Sequence, residues 1–264
     1  MKRHRLVRLL TLVGLLISAL ALAQNPKYAF YPEFRNSFTP RMRAENPSRQ
    51  LSNDEIVAMY ATELKSDGVP FDEISRRLGL LRTGRPALEA DYWNRFYLDA
   101  KSNFNKAPNA FLMQMVKGRP PGVVLDYGMG EGRNSIYLAS LGWEVWGFDP
   151  ADAGVALAQK RAKELGLILH TSAVRDSDYD FGQNRFDMIV FSWTMPLVPI
   201  QRIVDSLKPG GVVVMECGSD FVSRNQMLHI FDPLEIRHYE IVRAKSDFYD
   251  RRDTDVLRLV AIKP

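Results

Sequence analysis

The stretch Val123-Val-Leu-Asp-Tyr-Gly-Met-Gly-Glu-Gly-Arg133 constrains this chain more than any other. Val123, Val124 and Leu125 read as a strand buried on both faces of a parallel sheet. Glycines at 128, 130 and 132 let the backbone turn tightly and approach a ligand with no Cβ in the way. Arg133 to Leu141 then has helical spacing, with Ile136 and Ala139 on one face. A strand, a glycine turn and a helix N-terminus together predict a nucleotide-type site.

The glycine spacing argues against a dinucleotide. That fingerprint, Gly-x-Gly-x-x-Gly, would put its third glycine at position 133, which is Arg133. The order is instead Asp126-x-Gly128-x-Gly130-x-Gly132, with a carboxylate at the strand tip. A carboxylate there repels a pyrophosphate and attracts the ammonium of an amino-acid moiety. S-adenosylmethionine carries that ammonium, a sulfonium and no phosphate, so it is the expected cofactor. Trp143-Glu-Val-Trp-Gly-Phe-Asp149 reads as a second strand, ending in an acid placed to chelate ribose hydroxyls.

These blocks resemble class I S-adenosylmethionine-dependent methyltransferases, and within them the tellurite-resistance and thiopurine-methyltransferase-like branch. Gly130-Glu-Gly-Arg-Asn-Ser-Ile-Tyr-Leu-Ala139, Tyr92-Trp-Asn-Arg-Phe-Tyr97 and Pro108-Asn-Ala-Phe-Leu112 carry the branch. Arg185-Phe-Asp-Met-Ile-Val190 and Leu207-Lys-Pro-Gly-Gly-Val-Val-Val-Met-Glu216 look like the fourth strand and the helix end, turn and fifth strand of the class. Met129 stands where the class often carries Cys, and only its backbone is expected to matter. The resemblance implies that an acid after the third strand takes the adenine amino group. Asp176 is the candidate, with Asp178 and Asp180 close competitors. It also implies that Trp93 and Tyr97 belong to a lid over the substrate.

Ser192 and Trp193 follow the fourth strand, on the edge where open α/β sheets bind ligands. Ser192 is assigned to the cofactor and Trp193 to the substrate. Arg133, a cation at a helix N-terminus, opposes the dipole there and so invites an acid or an anionic substrate. The sulfonium makes the methyl group electrophilic, so alignment and exclusion of water suffice for a soft acceptor, and no catalytic residue is assigned.

The fold expected is a Rossmann-like doubly wound α/β sheet, mostly parallel with an antiparallel C-terminal strand, plus an N-terminal helical extension. The third strand is expected at 167–170, the fourth at 186–192 and the fifth at 212–216. Helices are expected at 153–166, 199–207 and 223–231, and the alternating stretches 236–242 and 256–262 as a closing antiparallel pair. The domain division expected is 1–23, 24–90 and 91–264. Prolines 26, 32, 40 and 47 with interleaved aromatics predict an irregular extended arm, followed by helices at 53–64 and 71–81 that form a cap.

Charge and cysteine usage exclude much else. One cysteine, Cys217, rules out an internal disulfide and a cysteine-based metal cluster, and His4, His170, His229 and His238 lack metal-ligand spacing, so no metal is expected. The net charge of +4 resides in Lys2, Arg3, Arg5 and Arg8, leaving a neutral body with no electrostatic case for nucleic acid. That basic start, the apolar run Leu9 to Leu22 and Ala21-Leu-Ala23 fit a signal peptide or an uncleaved anchor. Export or anchoring is therefore expected, and a cytoplasmic protein if the start is mis-assigned. The partner expected is a small-molecule methyl acceptor such as a thiol or metalloid. The alternative is an exported binding module that keeps the fold without catalysis.

Overall fold

The apolar runs form, in the computed structural model, a seven-stranded sheet within residues 26–46, 51–99, 105–219, 225–248 and 253–264, which are the residues described. The strands are β1 (Val123–Tyr127), β2 (Glu144–Phe148), β3 (His170–Ser172), β4 (Phe186–Ser192), β5 (Leu207–Gly218), β6 (Glu235–Lys245) and β7 (Asp253–Ile262). Their order is β3-β2-β1-β4-β5-β7-β6; the first five run parallel, and β7 is antiparallel to both neighbours. This is the doubly wound sheet with an antiparallel close that the sequence predicts.

Alternation along the strands builds a core on each face. Leu125, Ile189, Phe191, Val213 and Met215 pack in one cluster with Ile203 and Phe231. Val124, Met188, Val190, Val212 and Val214 pack in another with Phe111, Leu112 and Leu138. Ile203 lies on a helix at Ile200–Ser206, and Leu138 on one at Arg133–Ser140. β1 pairs with β2 on one side and with β4 on the other, all parallel, so the C-terminal ends of these three strands share one edge.

The chain divides into two compact units between Leu98 and Asp99. The helix Arg85–Leu98 therefore belongs wholly to the first unit, whereas the sequence reading divides it at 90. In that unit the extended arm is corrected: Tyr31–Glu33, a π turn at Phe34–Phe38 and Thr39–Glu45 are helical. Pro32 and Pro40 are each the second residue of their helical segments, in the first turn that tolerates proline. Phe30, Phe34 and Phe38 then recur at four-residue spacing, and Phe34 and Phe38 each pack on Tyr60 at 4.9 Å. Pro47 and the expected signal or anchor segment, residues 1–23, lie outside the described residues. No described helix is long and apolar enough to cross a membrane.

The helix Asn53–Ser66 starts on Ser52, whose hydroxyl accepts from Glu55 N while Glu55 accepts from Ser52 N, a complete capping box. The third strand begins later than expected because its apolar residues are used to end a helix. Gly166 N donates to Lys163 O and Leu167 N to Ala162 O, a Schellman closure of the helix Asp152–Glu164 with Gly166 at φ +68°. Ile168 is left exposed and only His170–Ser172 joins β2. The last short helix is described at Gln226–Ile230; the expected start at 223 lies outside the described residues.

Candidate functional site

The turn after β1 is shaped by its three glycines, all at positive φ: 65° at Gly128, 53° at Gly130 and 76° at Gly132. Only glycine adopts this run cheaply, which is why the residues alternate as they do. Met129 N donates to Phe148 O at 2.9 Å, joining the turn to the end of β2. The side chain of Met129 also matters, contrary to expectation. It is buried and fills the space above Gly147, where a Cβ would lie 2.6 Å from its Sδ.

Asp126 is the next-to-last residue of β1 and Asp149 follows the last residue of the adjacent β2, and both are buried. Asp126 Oδ2 accepts from Ser135 Oγ at 2.6 Å. Asp149 Oδ2 accepts from Gly130 N at 2.9 Å and its Oδ1 from Ala151 N at 2.8 Å. Burial pushes each carboxyl up to about 6, against the pull of these hydrogen bonds. The charge of Asp126 raises Asp149 further. Two desolvated acids beside a glycine turn, each with acceptor capacity left, form a site whose carboxylates gain from a cationic or hydroxyl-bearing ligand.

The three acids after β3 are separated by their partners. Asp176 Oδ2 accepts from Tyr127 Oη at 2.6 Å, which ties it to the end of β1. Asp178 pairs with Arg175 in solvent, and the pairing holds its carboxyl below the usual range. Asp180 accepts from Gly182 N within its own turn. Of the three, Asp176 is the one held against the strand that carries Asp126.

The fourth-strand residues join a network that the sequence reading did not assemble. Arg133 is buried, and its Nη1 donates to the backbone oxygens of Ala107 and Asp247, at 3.0 and 2.9 Å. Its Nη2 donates to Ser192 Oγ at 3.3 Å and to Asp247 Oδ1 at 3.2 Å. The partner that Arg133 invites is thus an acid of its own chain. Trp193, at φ +58°, donates its indole N–H to Asp247 Oδ1 at 2.7 Å and stacks on Phe248 at 5.6 Å. Asn109 Nδ2 bridges Glu216 Oε1 at 2.6 Å and Asp247 Oδ2 at 2.7 Å, while Arg258 Nε holds Glu216 Oε2 at 2.7 Å. Burial pushes the Glu216 carboxyl up, opposed by the Arg258 and Asn109 hydrogen bonds.

Asn109, Glu216 and Asp247 carried no functional assignment from sequence. Asn109 lies inside the Pro108–Leu112 block and Glu216 closes the expected fifth strand, but Asp247 sits in the β6–β7 connection and no local pattern marks it. Trp93 and Tyr97 belong to the first unit, stacked on each other at 6.0 Å within the helix Arg85–Leu98.

Asp247→Ala removes side-chain partners of Arg133, Trp193 and Asn109 at once and leaves the buried guanidinium without its charged acceptor. The expected loss of stability is about 3 kcal/mol, read by urea unfolding. A loss within the ordinary surface range of about 0.5 kcal/mol would show that the network does not hold the hairpin end to the sheet.

Comparison with known proteins agrees with this arrangement. Residues 124–211 match the methyltransferase domain family, a span that runs from β1 into β5. Within this chain, residues 124–211 are thus similar to a methyltransferase domain. That domain is similar to the 2-heptyl-1-hydroxyquinolin-4(1H)-one methyltransferase of Mycobacteroides abscessus, 32% identical over 112 residues, covering 39% of this chain and 49% of the relative. It is also similar to the probable S-adenosyl-L-methionine-dependent methyltransferase TehB of Haemophilus influenzae, 26% identical over 164 residues, 55% of this chain and 56% of the relative. The chain thus spans about half the length of these curated relatives. In fold, the domain is similar to the N-methyltransferase NodS of Bradyrhizobium japonicum crystallised with S-adenosyl-L-homocysteine. That likeness has a TM-score of 0.53 at 16% identity, covering 66% of this chain and 98% of NodS.

Proposed function

We propose that this protein transfers a methyl group from S-adenosylmethionine to a small-molecule acceptor. The observation that carries the reading is the pair of buried carboxylates, Asp126 and Asp149, set at the ends of adjacent parallel strands around a three-glycine turn. Such a pair fits a ligand with an ammonium and a ribose diol and disfavours a pyrophosphate. Asp149 would take the ribose hydroxyls, Asp126 the ammonium and Asp176 the adenine amino group. The backbone of Gly128, Gly130 and Gly132 would lie against the ligand without side chains, and Ser192 would approach it from the end of β4. When bound, the cofactor supplies a methyl group already activated on a cationic sulfur.

The chain's own task is then orientation. Asp126 and Asp149 fix the two halves of the ligand, and the β4 edge leaves Trp193 for the acceptor side. The indole of Trp193 is held by Asp247 and Phe248. Because the described residues at the shared edge offer no paired nucleophile and base, a soft, polarisable acceptor such as a thiol or metalloid species suits the site best.

Titration calorimetry of the full chain with S-adenosylhomocysteine and with NAD tests the reading. Binding of the first and not the second is expected, and the reverse would overturn the assignment. Methyl-labelled S-adenosylmethionine with thiol, metalloid and N-hydroxyquinolone acceptors then identifies the acceptor class.

Affinity carries a pH signature. Both carboxyls titrate near 6 in the cofactor-free protein, well above the usual aspartate range. The folded chain therefore binds more protons than the unfolded chain between about pH 4 and 6, and its stability falls as pH rises through that window. Ligand donors require the charged carboxylates, so affinity moves the other way. It is expected to drop about tenfold per carboxylate between pH 7 and pH 5, with proton release on binding near pH 6. Calorimetry in buffers of differing ionisation heat measures both, and pH-independent affinity would remove these acids from the contact.

A further inference from the structure

Tyr127 closes β1 with a phenol, after Val123, Val124, Leu125 and Asp126. Its ring belongs to the core, 4.7 Å from both Phe148 and Phe191, and would serve there equally well as phenylalanine. The hydroxyl needs another explanation. It lies between two loops: Leu197 N, after β4, donates to Tyr127 Oη at 3.2 Å, and Tyr127 Oη donates to Asp176 Oδ2 at 2.6 Å, after β3.

The direction of the second bond follows from the first. A backbone N–H can only donate, so it occupies an acceptor site of the phenol and leaves the single O–H proton for the carboxylate. Burial pushes the phenol well above its usual range, so it stays a donor. Asp176 Oδ1 in turn accepts from Ser177 N at 2.8 Å, which fixes the carboxylate plane from the other side. Arg202 pins the same turn through Ser177 O at 3.3 Å and Tyr179 O at 2.9 Å. Each oxygen of Asp176 is thus tethered once and keeps lone pairs for a ligand.

We infer that Tyr127 is a positioning residue: its hydroxyl aims the Asp176 carboxylate at the exocyclic amino group of an adenine base and so sets the preference for adenine. The inference rests on the cofactor reading proposed above. A carboxylate held in this way rewards an amino donor and repels the carbonyl oxygen that replaces it in hypoxanthine. Without the phenolic donor, the side chain is free to rotate and part of that discrimination is lost before the ligand arrives.

The test uses the full chain and two ligands, S-adenosylhomocysteine and S-inosylhomocysteine, measured by calorimetry. Wild type is expected to prefer the adenine ligand strongly. Y127F is expected to weaken the adenine ligand about tenfold, leave the inosine ligand nearly unchanged, and so shrink the preference by the same factor. Asp176→Ala should abolish the preference, and on that background Y127F should have no further effect on it. A purely structural role would weaken both ligands equally and leave their ratio intact, which overturns the inference; so does an unchanged affinity for both. Substitution of 4-aminophenylalanine at position 127 keeps a donor and should retain the preference. It carries the test if Y127F does not fold, and a lost preference there also overturns the inference. Failure of the wild-type chain to bind either ligand would instead remove the cofactor reading, and this inference with it.

Discussion

Asp149→Ala abolishes the thermal stabilisation that S-adenosylhomocysteine confers on the full chain, the largest functional effect expected of any single change in the domain. Two losses add. The first is direct: a carboxylate facing ribose hydroxyls makes charge-assisted hydrogen bonds worth roughly 1.5–3 kcal/mol each. The second is architectural, because Asp149 also accepts from Gly130 N and Ala151 N, and so fixes the glycine turn from the β2 side. Together the expected fall in affinity is at least about a hundredfold, or roughly 3 kcal/mol. At ligand concentrations near a hundred times the wild-type Kd, the stabilisation of roughly 2.7 kcal/mol shrinks to a small fraction of that. Asp149→Asn separates the two losses. The amide can still accept from one backbone N–H while losing the charge, so the turn survives better than the affinity. A melting-temperature shift in Asp149→Ala equal to that of wild type would mean that the ligand does not touch this end of β2.

The same variant responds to pH in an informative way. Removing Asp149 removes one of the two buried carboxyls and, with it, the burial cost of ionising it. The cofactor-free variant should therefore lose part of the fall in stability that wild type shows as pH rises from about 4 through 6. Denaturation midpoints compared at pH 4.5 and pH 7 measure this directly. A variant whose stability declined across that interval as steeply as wild type would place the titrating burden elsewhere.

What could be seen in the residues divides along the range of the interactions. β1, its glycine turn and the following helix were visible because an apolar strand, alternating glycines and a helical face all lie within nineteen consecutive residues, 123–141. Asp126 and Asp149 followed from their places at strand ends. The third strand was misplaced because Leu167 and Ile168 look like strand residues, although Leu167 is spent on closing the preceding helix. The arm was misread for a related reason. Proline is taken as a breaker, but Pro32 and Pro40 stand where a helix tolerates them, and the aromatic spacing of four had more weight than the prolines.

The network around Arg133 shows what no local pattern can reveal. Its members come from positions 109, 133, 192, 193, 216, 247 and 258, and only the sheet order β1-β4-β5-β7 brings them together. The dipole argument required an acid near Arg133 without naming it, since Asp247 is 114 residues away. Likewise, Tyr127 looked like one more buried strand residue until the loops after β3 and β4 were seen to meet at its hydroxyl. Chemistry that depends on one short segment is legible in sequence; chemistry assembled across strand ends depends on topology.

Gly132→Ala has as large an expected effect on stability as Asp247→Ala, and it tests the turn rather than the ligand. Gly132 precedes the helix Arg133–Ser140 at φ +76°, where a side chain costs roughly 1–2 kcal/mol. Its added Cβ would also lie 2.7 Å from the Cβ of Ala158, a buried residue of the helix Asp152–Glu164. Neither partner can yield by rotating, since each clash atom is fixed to its backbone, so overpacking adds roughly 1–3 kcal/mol. The expected total is about 3 kcal/mol by urea unfolding. Gly166→Ala is the control: φ is +68°, nothing lies within 4 Å of the added carbon, and only the conformational cost of about 1 kcal/mol applies. The difference between the two variants isolates the contact with Ala158. Ala158→Gly should relieve that contact, so its own helix cost of about 1 kcal/mol should be offset in the Gly132→Ala background. The two changes are therefore expected to be non-additive by more than about 0.5 kcal/mol. Strict additivity would mean that the glycine turn and the helix after β2 do not press on one another, and that Gly132 is required for its backbone conformation alone.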